Sequence, residues 1–142
     1  MTSVNWRSPA VVLLCGGLIL TLAMGMRHGF GLFLQPMTQA QGWTRETFAF
    51  AMALQNLYWG LAQPFTGMLA DKFGAGKVLL VGAALYIAGL CVMALATSGA
   101  VFGWGSGVLI GLGLSGTTFS VVYGVIGRSF PPQKRSMALG IA

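Results

Sequence analysis

Residues 78–127 form fifty consecutive positions without a charged side chain. They are closed on one side by Asp71-Lys72-Phe73-Gly74-Ala75-Gly76-Lys77 and on the other by Arg128. A membrane-spanning helix takes about 20 mostly apolar residues, so this stretch holds two, with Thr97-Ser98-Gly99 as the break between them. Upstream, residues 8–26 give 19 further positions without charge. That exceeds the roughly 7–15 residues of a cleaved signal's apolar region, so residues 1–7 lead into a retained first helix. The pattern predicts four spans, at 9–34, 47–70, 77–96 and 101–128. A loop at 130–135 follows, and a fifth helix opens at about 136. Local chemistry agrees. Thr44 is placed to cap the second helix, and Glu46 sits in its first turn, where the helix dipole favours an acid. Gly74 falls just past its end, and Pro131-Pro132 stops the fourth.

Composition narrows the class. The chain is 56% hydrophobic and 7% charged, against about 25% charged in a soluble domain. This is an all-α integral membrane protein. The net charge of +6 does not imply nucleic acid, because the basic residues punctuate apolar runs. With the N-terminus cytoplasmic, that side collects Arg7, Lys72, Lys77, Arg128, Lys134 and Arg135, six in all, against Arg45 opposite. The excess of basic loops inside therefore predicts a cytoplasmic N-terminus and a multi-pass plasma (inner) membrane protein. Cys15 and Cys91 read as small buried hydrophobes. No metal-ligand spacing appears, no cofactor is expected, and no constellation of nucleophile, base and acid suggests an enzyme.

Small residues predict how the helices pack, since in lipid they let backbones approach. Gly103, Gly107, Gly111 and Ser115 recur every four residues, and Gly116, Ser120 and Gly124 make a second series. Two such faces suit a fourth helix sandwiched inside a bundle.

The candidate substrate groups are the polar residues inside spans. Arg27 lies about 8 Å beyond the midplane of a span at 9–34, at about 1.5 Å per residue. An ionisable residue there is expensive and functional by default, and its planar fork suits a carboxylate. Snorkelling to the outer interface is the competing reading. His28 is a candidate proton carrier or a satisfied helix histidine. Gln55, Asn56 and Gln63 suit a wet cavity or interhelical hydrogen bonds. Gln55 and Gln63 share a face with Trp59, and Pro64 is expected to kink the helix. Thr117, Thr118 and Tyr123 are further cavity candidates, Tyr123 equally an ordinary packing aromatic. At the cytoplasmic end, Gly67 removes a side chain where another helix could cross. Asp71, the one acid on a basic surface, can pair with Arg128 or face a helix N-terminus, the plain alternative being an exposed loop aspartate worth little.

Gly67-Met68-Leu69-Ala70-Asp71-Lys72-Phe73-Gly74-Ala75-Gly76-Lys77 resembles the loop signature of the major facilitator superfamily, G-x-L-A-D-[RK]-x-G-[RK]-[RK]. Gly67, Leu69, Ala70, Asp71, Lys72 and Gly74 match. Ala75 and Gly76 replace the usual basic pair, and Lys77 comes one place late. The resemblance implies that Asp71, with Gly67, Lys72, Gly74 and Arg128 around it, latches the cytoplasmic side in the outward-open state. Phe30 to Met37 with Gly42-Trp43-Thr44-Arg45, Gly111 to Ser115-Gly116, and Arg135 to Gly140 resemble the oxalate/formate antiporter and monocarboxylate transporter branch. In monocarboxylate transporters a cationic residue stands near the place of Arg27, so the resemblance implies a substrate role for it. The superfamily's common span-four arginine is missing, so proton coupling tied to it is not implied.

These readings together predict the N-terminal part of a twelve-helix secondary transporter, one that cannot transport by itself. Substrate would bind between two six-helix halves by alternating access. The expected partners are a small organic anion such as a mono- or dicarboxylate, a proton or exchanged anion, the lipid bilayer, and C-terminal helices of the same protein. A complete four-span oligomeric transporter and a non-transporting subunit or scaffold are the alternatives. Drug exporters of the four-span type need a membrane-buried acid, and no span here has one.

Overall fold

The computed structural model describes residues 8–142. The readings of residues 1–7, Arg7 included, lie outside the described residues. Five helices follow in order: α1 Pro9–Gln41, α2 Arg45–Phe73, α3 Ala75–Ala94, α4 Gly99–Ser129 and α5 Pro132–Ile141. Of these, α1, α3 and α4 are long and apolar enough to cross a membrane. The expected second span is present as a 29-residue helix. It does not reach the same apolarity, because Arg45, Glu46, Gln55, Asn56, Gln63, Asp71 and Lys72 all lie on it.

Several boundaries differ from expectation, each for a local reason. Helix α1 continues past Leu34 and through Pro36, and stops where Gly42 turns left-handed at φ 67°. Ser8 starts it by accepting from the Val11 amide at 3.4 Å. Thr44 caps α2 by accepting from the Thr47 amide at 3.3 Å, as its sequence position foretold. The polar knot is no loop. Asp71, Lys72 and Phe73 complete α2, Lys77 stands in the first turn of α3, and Gly74 alone makes the turn between them, at φ 93°. A side-chain-bearing residue is strained in that region. Pro132 opens α5 rather than lying in a loop, because proline's fixed φ and missing N–H suit the first helical position. The fifth helix thus begins four residues earlier than 136.

Helix α4 is the hub, as its small residues predicted. In its most apolar window 61% of residues are buried, against 17% for α1 and for α3. Helices α2 and α3 flank it, and α1 leans on its last part. Within the first series, a Cβ at Gly107 would lie 3.2 Å from the Ala51 carbonyl of α2 and one at Gly111 2.8 Å from that of Gln55, whereas one at Gly103 would meet nothing within 4 Å. The second series is corrected. Gly116 faces Gly82 of α3, whereas Ser120 bonds Gln63 of α2 and Gly124 meets only Arg128 of its own helix. The seam to α3 is instead Gly105, Gly113 and Gly116 against Gly82 and Gly89. A Cβ at Gly113 would sit 2.7 Å from the Tyr86 nitrogen. Gly105 and Gly113 share a face because α4 widens to a π-helical turn over Gly103–Leu109. A wide turn holds about one residue more than an α turn, so an eight-residue spacing returns to the same side.

The outer surfaces of these helices carry Leu14, Leu18, Leu22, Phe50, Leu57, Phe65, Leu80 and Ile87, all exposed. Contiguous apolar surface of this extent belongs against lipid. Cys15 and Cys91 are exposed too, correcting their expected burial.

Candidate functional site: an arginine between helices

Buried Gly16, Leu20, Ala23 and Phe30 of α1 recur at helical spacing, and Arg27 falls on the same stripe. Its side chain is turned toward the neighbouring helices and is partly exposed. Its Nη2 donates to Oδ1 of Asn56 on α2. Its guanidinium carbon stands 4.8 Å from the centroid of the Trp59 ring, a cation–π contact of about 0.5–2 kcal/mol. The midpoint of α1 is Gly25, so Arg27 lies two residues, about 3 Å, from the helix centre.

Each partner is itself held. Asn56 Nδ2 donates to the Met52 carbonyl at 2.8 Å, which leaves Oδ1 for the arginine. Trp59 Nε1 donates to Thr118 Oγ1 at 2.9 Å, and Thr118 donates to the Leu114 carbonyl at 2.6 Å. At Thr118 the backbone of α4 leaves the helix before resuming at Phe119. Arg27, Asn56, Trp59 and Thr118 thus link three helices at one level. Interhelical hydrogen bonds continue below: Ser120 donates to Gln63 Oε1 at 3.2 Å, and Thr66 to the Ser115 carbonyl at 3.0 Å.

The other candidates separate. His28 is exposed, with Nδ1 2.7 Å from the Met24 carbonyl of its own helix. Gln55 is buried where α2 meets Gly111. Tyr123 packs edge-on against Phe119, centroids 5.3 Å apart, in the apolar cluster of α1, α4 and α5. Thr117 is buried and donates to the Gly113 carbonyl. Sequence reasoning named Trp59 and Thr118 without joining them to Arg27, since an indole and a hydroxyl on separate helices carry no local signal of a shared contact. Tyr86, buried on α3 beside this cluster, went unnamed altogether.

At the end that carries the loop signature, Arg128 Nη1 donates to Asp71 Oδ1 across α2 and α4. Both side chains are over half exposed. Lys72 Nζ lies 5.3 Å from the Phe73 ring. Helix α4 does pass Gly67, but a Cβ there would lie 3.9 Å from Ser120, ordinary contact rather than exclusion.

Three helices long and apolar enough to cross a membrane, with an arginine turned toward the neighbouring helices, define the class as a helical membrane protein. Residues 10–142 match the Major Facilitator Superfamily, and the chain belongs to that family. It is 31% identical over 130 residues to a protein of Oryza sativa subsp. japonica described as "Probable anion transporter 3, chloroplastic". That match covers 89% of this chain and 24% of the relative, so the chain spans about a quarter of it. No solved structure matches.

Proposed function

We propose that this chain contributes the first helices of a secondary transporter for a small organic anion, a mono- or dicarboxylate, working by alternating access. In this reading α2 is a fourth span alongside α1, α3 and α4, the N-terminus is cytoplasmic, and the plasma membrane is the site. Further helices of the superfamily fold would close the cavity from the other side, and an exchanged anion or a proton would supply the driving force.

The observation that carries the reading is that Arg27 has no carboxylate partner among the described residues. The chain holds two acidic residues in all. Asp71 is engaged by Arg128. Glu46 is ten residues from Asn56 on α2, about 15 Å along the helix. A cation inside the membrane without a carboxylate partner is costly; a bound anion offsets that cost. The relative's description as a probable anion transporter supports an anion as the substrate.

The site would comprise Arg27 as the charged fork with Asn56 beside it; Gln55, packed at Gly111, His28, exposed on α1, and Tyr123, packed against Phe119, lie apart from that contact. Trp59 would set the arginine's plane. Gly67, Asp71, Lys72, Gly74 and Arg128 would latch the cytoplasmic side. Equilibrium binding of labelled oxalate to the product of the complete reading frame tests this. Arg27→Gln should weaken binding about tenfold or more, as loss of a hydrogen bond to a charged group implies. Unchanged affinity removes Arg27 from the site.

A further inference from the structure

Helices α2 and α3 both pack on α4, and between them they leave an open groove of about 580 Å³. Gly82 and Gly116 meet backbone to backbone at its base. Phe65 and Leu69 of α2 line one side and Val81 of α3 the other, all three exposed. Two hydroxyl residues reach the groove, and both hydroxyl protons are already used. Thr66 donates to the Ser115 carbonyl at 3.0 Å, and Ser115 to that of Leu112 at 2.7 Å. Along its length the groove therefore presents hydrocarbon.

Its charge stands at one end. Lys77 lines the groove from the first turn of α3. Lys72 Nζ lies 5.3 Å from the centroid of the Phe73 ring, which lines the groove as well. Both lysines are exposed. Among the described residues neither is in an ion pair, and the nearby Asp71 is engaged by Arg128.

The length matches one leaflet. The lining residues of α2 run from Ala62 to Phe73, eleven residue steps, or about 16 Å of helix. Half of a hydrocarbon core about 30 Å thick is about 15 Å. An uncharged hydrocarbon chain would fill the groove and leave the lysines unused. A small hydrophilic anion would use the lysines and leave the groove empty. A lipid with a net negative head group does both, since lysine stems lie along apolar surface while their ammonium groups reach the interface.

We propose that the groove between α2 and α3 binds an anionic phospholipid, with one acyl chain along Phe65, Leu69 and Val81 and the phosphate at Lys72 and Lys77. This site is independent of Arg27 and of any transported substrate; it needs only that the bundle lies in a bilayer.

Native mass spectrometry of the product of the complete reading frame, titrated with lipid in detergent, tests the site. The probes are dioleoyl phosphatidylglycerol and dioleoyl phosphatidylcholine, equal in chains and different in net charge. One lysine near an anionic head group is worth about fivefold in affinity. The two together should make phosphatidylglycerol bind about twentyfold more tightly than phosphatidylcholine. Lys77→Gln should cut that preference about fivefold, and Lys72→Gln with Lys77→Gln should bring the two lipids level. Lys134→Gln with Arg135→Gln, at the same end but off the groove, should preserve it. Val81→Trp fills the groove from an exposed position and should weaken both lipids; Leu69→Trp, from the other wall, serves if that variant does not fold. Equal binding of the two lipids by the unaltered protein overturns the site, as does a preference that survives loss of both lysines or is lost in the Lys134 and Arg135 control. Lipid binding that the tryptophan variant leaves whole overturns the groove, placing the lipid elsewhere or another helix of the same protein in its place. Displacement of the bound phosphatidylglycerol by inorganic phosphate would show an ion site without an acyl chain and overturn it too.

Discussion

The contacts of Arg27 set limits on what any replacement can do. The guanidinium bonds Asn56 and lies on Trp59, so it is presented as an oriented plane rather than as a point charge. Arg27→Lys keeps the charge but loses the fork and the flat stacking. In binding measurements with labelled oxalate, it should fall between the unaltered protein and Arg27→Gln. Equality of lysine and arginine would show that charge alone matters there. Trp59→Leu should weaken the same binding several-fold without any change of charge, since it removes the cation–π contact and the Thr118 bond together. Part of this was legible in the chain. A lone arginine in an apolar run announces itself, and Asn56 stood out as an amide in a span. Tyr86 did not, because a tyrosine among Ala, Leu and Ile reads as packing until its hydroxyl is found buried and unpaired.

At the scale of the helix, glycine position matters more than glycine number. A methyl group added at Gly113 would lie 2.7 Å from the Tyr86 nitrogen, whereas one at Gly60 would meet nothing within 4 Å. Gly113→Ala should therefore destabilise the bundle by about 1–3 kcal/mol, the usual cost of overpacking against atoms that cannot yield. Gly60→Ala should be neutral or slightly stabilising, through helix propensity. Detergent melting curves of the two variants decide this; equal melting temperatures would mean that α3 and α4 are not in close contact. The four-residue series that meets α2 could be read directly from spacing. The seam to α3 could not, because a π turn inside α4 changes the spacing that corresponds to one face. Helix ends were similarly hidden: Pro131-Pro132 looked like a terminator, yet Pro132 starts α5, and α1 runs on through Pro36 past its expected end at Leu34.

For the molecule as a whole, the Asp71–Arg128 pair contributes about 0–1 kcal/mol to stability, given its exposure. Asp71→Asn should accordingly leave the melting temperature nearly unchanged while altering the balance between outward- and inward-open forms. Accessibility of a cysteine placed at Gly67 to a cytoplasmic thiol reagent reads that balance, in a background with Cys15 and Cys91 replaced by Ser. Identical accessibility with and without the Asp71 carboxylate would remove the latch. The same background tests orientation: Ser98→Cys should react from outside intact cells and Lys72→Cys should not. The overall architecture was the most legible layer, because charge-free runs of this length have few physical solutions. The central claim is that an oxyanion crosses the membrane past Arg27. Uptake of labelled oxalate into proteoliposomes holding the product of the complete reading frame tests it most directly. Saturable uptake, competed by other carboxylates and not by amines, and lost in Arg27→Gln, is the predicted result. Uptake that amines compete equally well, or that survives Arg27→Gln undiminished, would contradict it.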